Sequence, residues 1–145
     1  MATIKSFTNL SQSKKLAEIL PIESADMHYN NASIKGINYV DEYRAELMDY
    51  NTAQKVLSKY LINPMFGIIP CWSLASLLSV LPNNENISTN LSKGGYRIST
   101  LEYTNSWFVD YEDETNGLNN CVTSADNPVD ACVEMILKLH GQNLL

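Results

Sequence analysis

The feature that most constrains this chain is a change of apolar period around Asn127-Pro128. Before it, Trp107, Val109 and Tyr111 alternate with Phe108, Asp110 and Glu112, the two-residue repeat of a half-buried strand. After it, Val129, Cys132, Val133, Ile136 and His140 recur at helical spacing. The changeover itself reads as a helix start. Asn127 suits the N-cap, and Pro128 falls at the first helical position, where its missing N–H is harmless. Gly141 is placed to close that helix in the left-handed conformation, and Glu134 and Lys138 form an i, i+4 pair on its other side. Strands and helices in separate runs predict an α+β fold. An antiparallel β-meander sheet, of about three to five strands, packs against three to four helices.

The meander is expected to open at Gly94-Gly95, with Tyr96, Ile98 and Thr100 alternating against Arg97 and Ser99. Asn105-Ser106 offers a turn. Asn116-Gly117 is a hairpin signal, since both residues tolerate positive φ, and Leu118 to Val122 returns. Toward the N-terminus, Leu16, Ile19 and Leu20 form a helical stripe capped by Thr8 or Asn9 and stopped by Pro21. Met27-His28-Tyr29 reads as a short strand entering a turn at Asn30-Asn31. Residues 37–48 fit both periods. The odd positions from Ile37 to Leu47 suit a strand, whereas good helix formers after Asp41 tip the reading toward helix there. Thr52 to Leu61 carries one apolar helical face that Pro64 ends. A further helix follows Ser73 as N-cap. Trp72 and Leu77 are spaced as a hydrophobic staple, and Leu74, Leu77, Leu78 and Leu81 form the stripe.

The 145 residues suit one α+β domain, 1–145, and 45% apolar content supplies a core. A net charge of −6 argues against direct nucleic-acid binding through phosphates and against adhesion to anionic lipid. The first ten residues show no secretory pattern, and no run approaches the roughly 20 apolar residues of a membrane span. The expected location is the cytoplasm, where Cys71, Cys121 and Cys132 stay as free thiols.

Candidate chemistry is sparse. Cys71 precedes a helix start, where a thiolate would be favoured, yet a buried small thiol beside a tryptophan is the simpler reading. Its only conceivable histidine partners are His28 and His140. The acidic run Asp110–Glu114 resembles half of a calcium loop, but Thr123 falls where the closing carboxylate belongs. Asp126 and Asp130 flank Pro128 as helix-start residues. No zinc spacing, phosphate loop or dinucleotide fingerprint is present, so no catalytic residue, metal or cofactor is assigned. The aromatic and acidic side of the meander, Tyr103, Phe108, Asp110 and Glu112, is the candidate surface for a protein partner.

Three segments carry a resemblance. They are Ser11–Leu16 running on to Ala25-Asp26-Met27, Ile69-Pro70-Cys71-Trp72-Ser73-Leu74 leading to Leu81-Pro82, and Asp126–Ala131 leading to Val133-Glu134-Met135. Together they resemble a group of small uncharacterised proteins of gut Bacteroides-type bacteria and their phages or mobile elements. The likeness covers about half the chain and leaves out Ile34 to Asn63. It implies that a small residue such as alanine often stands at the position of Cys71, and it brings no activity with it. The expected function is therefore a non-enzymatic protein-binding or accessory factor of a phage or mobile element. A small hydrolase or thiol enzyme using Cys71 or the Asp110–Glu114 cluster is one alternative. An acidic nucleic-acid mimic is the other.

Overall fold

The computed structural model describes residues 5–30, 44–46, 52, 55, 68–97, 102–115 and 120–145. It is an α+β mix with helices α1 (Leu10–Ala17), α2 (Leu74–Val80) and α3 (Pro128–Gly141). The strands are β1 (Met27–Asn30), β2 (Arg44–Glu46), β3 (Ile68–Cys71), β4 (Ile87–Arg97), β5 (Glu102–Asp113) and β6 (Cys121–Ala125). They form two three-stranded sheets, ordered β2-β1-β3 and β4-β5-β6, antiparallel throughout. The chain divides into two compact units, Phe7–Ser76 and Met1–Ser6 with Leu77–Leu145, the division falling inside α2.

In the first unit, α1 starts with a capping box. The Asn9 side chain accepts from the Gln12 N–H at 2.8 Å, and the Gln12 side chain accepts from the Asn9 N–H at 3.0 Å. Helix α1 lies against β3. Met27, Tyr29 and Cys71 form the core of this sheet, with Phe7, Leu10 and Ile69 packed on it. The rings of Phe7 and Tyr29 meet edge to face with centroids 6.3 Å apart.

The helix expected after Asp41 is corrected: Arg44–Glu46 is a strand, paired with Asn30–His28. Helix propensity of Arg, Ala and Glu is worth only tenths of a kcal/mol per residue, and a ladder to β1 overrides it. Thr52 and Lys55 are helical, as expected for that stretch. The rest of Thr52–Leu61 lies outside the described residues.

In the second unit the strands are longer than the alternation suggested. β4 begins at Ile87, and Gly94-Gly95 lies within it rather than at its start. These glycines have φ of 63° and 92°, and the pairing register shifts between Lys93 and Gly95. Two steps along β4 face three along β5, so the extra residue lies on β5, opposite glycines whose left-handed backbone other residues rarely adopt. Asn105-Ser106 makes no turn but lies within β5 at the register shift, between Thr104, paired with Gly95, and Trp107, paired with Lys93. Ile98, Thr100 and Asn116-Gly117 lie outside the described residues.

Helix α3 follows the expected start. The Asn127 side chain accepts from the Asp130 N–H at 2.9 Å, and Pro128 opens the helix. Its end differs. Gly141 is still helical, and Asn143 takes the left-handed conformation at φ 57°. Leu144 N–H donates to Leu139 O at 2.9 Å and Asn143 N–H to His140 O at 3.1 Å, the paired bonds of a Schellman motif. Val129, Cys132, Val133 and Ile136 are buried as expected, but His140 is exposed. Ser73 caps α2 by accepting from the Ser76 N–H at 3.2 Å. Leu77 and Leu81 are buried there, while Leu78, expected in the buried stripe, is 42% exposed.

Candidate functional site

In the first unit the polar groups are bound to one another. Cys71 sits at the end of β3 with no exposed surface. Its thiol lies 3.5 Å from both the hydroxyl and the carbonyl oxygen of Thr8. The Thr8 hydroxyl shares a 2.7 Å bond with Ser13 and accepts from the Trp72 N–H at 3.2 Å. The Tyr29 hydroxyl donates to Thr8 O at 2.7 Å. Burial pushes the Cys71 thiol up, against hydrogen bonds from Thr8 and Ser13 that favour the thiolate. That is the opposite of an activated nucleophile. Met27 pairs with Cys71 across the ladder, so the side chain of His28 alternates to the other face of the sheet. His140 stands exposed at the end of α3.

Asp26 ties the same region to the helix start. Its carboxylate accepts from the Ser73 N–H at 2.9 Å and also from the Ser73 hydroxyl. Burial alone would raise the Asp26 carboxyl. Bonds from Ser73 and Ser76 outweigh it and hold the group below the usual carboxylate range. Ser73 Oγ in turn accepts from the helix, so Asp26 serves as a second layer of the cap.

The second unit is built differently. Helix α3 lies against β5 and β6. Thr123 donates to Ala131 O at 2.9 Å, and Cys121 Sγ lies 3.7 Å from Met135 Sδ. These contacts define the covered face of the sheet, with Val109, Tyr111 and Asp113 buried on β5. Alternation sends the intervening residues to the opposite face. Register there gives three cross-strand rows: Ser92–Phe108–Ser124, Asn90–Asp110–Val122, and Ser88–Glu112.

The predicted surface residues fall along this face. Phe108 is only 5% exposed, so its ring fills space instead of meeting solvent. Asp110 is half-buried and Glu112 exposed. Tyr103 belongs to β5 opposite Tyr96, with its side chain outside what is described. Sequence reading missed Asn90, exposed beside Asp110, and Val122, 44% exposed on its other side. The pairing register that joins them is set across strands and has no local signal.

Of the acidic run, Asp113 is buried on the helix-covered face and accepts from the Thr115 N–H at 2.9 Å. Strand alternation thus splits the run between two faces. Among the described residues, no three His, Cys, Asp or Glu side chains gather as a metal site. No helix among them is long and apolar enough to cross a membrane. Compared with known protein families, curated proteins and solved structures, the chain matches none.

Proposed function

We propose that this chain is a non-enzymatic protein-binding or accessory factor of a phage or mobile element, acting in the cytoplasm. The observation that carries the reading is the sheet face turned away from α3. It holds two carboxylates, Asp110 and Glu112, two residues apart on one strand and so about 6.8 Å apart along it. Asn90 and the exposed Val122 flank the first of them in register. A mixed patch of carboxylate, amide and aliphatic surface suits a protein partner with basic residues around an apolar contact. Phe108 lies on the same face and supports it from within; Tyr103, on the same strand, is proposed to take part. The same reading takes the chain as an antiparallel meander packed against three to four helices, with its polar side left for the partner.

The test is capture of proteins from an extract of a Bacteroides-type host on immobilised wild type and on the double variant D110K/E112K. A protein retained by wild type and lost from the variant, with retention falling as salt rises, supports the reading. Equal retention on both, or none on either, overturns it. The acidic-mimic alternative draws on the same two carboxylates. It predicts in addition that the chain displaces nucleic acid from the captured protein.

A further inference from the structure

Sheet edges are where chains pair with one another, and proteins blunt them with charge, proline or a break in the ladder. Among the described residues the two sheets end in four edge strands, β2, β3, β4 and β6. β2 is three residues long, and two of them, Arg44 and Glu46, are charged. β3 carries Pro70. β4 carries Lys93 and Arg97, and its register with β5 shifts between Lys93 and Gly95. β6 has none of these devices. Its residues are Cys-Val-Thr-Ser-Ala, without charge, proline or glycine, and its register with β5 is unbroken. The side chains it turns away from α3, Val122 and Ser124, are exposed.

Resting on the protein-binding reading above, we propose that β6 accepts an extended segment of the partner as a fourth strand of its sheet, and that this segment carries lysine or arginine at alternate positions. An edge strand turns the N–H and C=O of every second residue outward, so a segment laid beside it gains a ladder of main-chain bonds. Side chains decide which segment fits. Those of an added strand that point away from α3 continue the rows Asn90–Asp110–Val122 and Ser92–Phe108–Ser124. Strands lie about 4.8 Å apart, so such a side chain starts about 9.6 Å from the β5 position in its row. A long basic side chain crosses that gap with its aliphatic stem on Val122 and its charge toward Asp110. Glu112, exposed on the same face of β5, supplies a second negative charge. β6 itself adds no cation to oppose the approach, and the chain as a whole carries −6. An acidic segment would meet repulsion at the same positions.

The experiment is fluorescence anisotropy of short labelled peptides titrated with the full chain. One alternates lysine with threonine, a second lysine with proline, and a third glutamate with threonine. The lysine–threonine peptide is expected to bind, and more weakly as salt rises. The lysine–proline peptide keeps the charge but cannot pair as a strand, and should bind about tenfold more weakly. The glutamate–threonine peptide should not bind. Amide hydrogen exchange then locates the contact: alternate amides of Cys121–Ala125 should gain protection in the bound state, and those of β4 should not. Equal binding of the lysine–proline peptide, or no new protection on β6, overturns strand addition and leaves the protein-binding reading standing, because capture on D110K/E112K tests that reading separately. No binding of the lysine–threonine peptide, or binding of the glutamate–threonine peptide, also overturns it. So does a dimer in sedimentation of the chain alone with the β6 amides already protected, which would assign the edge to a second copy.

Discussion

The two sheets use their polar residues in opposite ways. In β2-β1-β3 the buried hydroxyls, the Cys71 thiol and the Trp72 backbone N–H are bonded around Thr8, the indole donates to Ser24, and Asp26 completes the cap of α2. In β4-β5-β6 the buried Tyr111 hydroxyl has no hydrogen-bond partner among the described residues, and Cys121 Sγ lies 3.7 Å from the Met135 thioether. Two carboxylates of that sheet stand on the face away from α3. A closed network stabilises and specifies a fold, whereas unused donors and open faces are where a chain meets other molecules. By that contrast Cys71, the more tempting cysteine in the sequence, belongs to the architecture.

The sharpest way to break the contrast is Trp72→Ala. The indole is fully buried and its Nε1–H donates to Ser24 Oγ at 2.9 Å. A loss of about 3–5 kcal/mol in urea denaturation is expected. Asp26→Ala comes next, at about 1–3 kcal/mol, because the Ser73 N–H and hydroxyl lose their acceptor. The folded-state carboxyl of Asp26 lies below its ordinary value of 3.8. Its stabilisation is therefore complete above that value and is lost as pH falls through the lower, folded one. Denaturation midpoints below pH ~4 should consequently fall more steeply in wild type than in Asp26→Ala.

A matched pair of tyrosine variants sharpens the comparison directly. Tyr29→Phe removes a 2.7 Å bond to Thr8 O and should cost about 1 kcal/mol. Tyr111→Phe removes a hydroxyl with no partner among the described residues and should cost about zero or stabilise slightly. Equal losses in the two variants would show that Tyr111 is bonded after all and erase the difference between the sheets. The smallest effect is expected from Lys5→Ala. The Lys5–Asp130 pair is close, at 2.6 Å, but partly solvated. Its loss should cost about 0–1 kcal/mol, less at high salt, as thermal unfolding at two ionic strengths would record.

Helix signals were readable because they are local. Asn127-Pro128 and Ser73 act within three or four residues of themselves, and the structure uses each as a cap. The strand at Arg44–Glu46 was not readable in the same way, since its ladder partner, Asn30–His28, lies well away in sequence. The same holds for Asn105-Ser106, turn-like in composition yet held within β5 by the pairing of Thr104 and Trp107 on either side with β4. At the candidate face, the alternation of Asp110 and Glu112 against Tyr111 was legible from period alone. The burial of Phe108 within that face was not, because exposure depends on what packs above a strand as well as on its period.

By itself, then, the chain's order of residues determined where helices begin, which side of β5 carries charge, and that three thiols would be present. Those properties follow from capping, pleat and composition, all set by near neighbours. Only the tertiary structure decided which thiol would be sealed against Thr8 and which would face a methionine. It alone decided which tyrosine would find an acceptor. Such outcomes depend on register and on groups brought together from distant parts of the chain, and no local pattern encodes them.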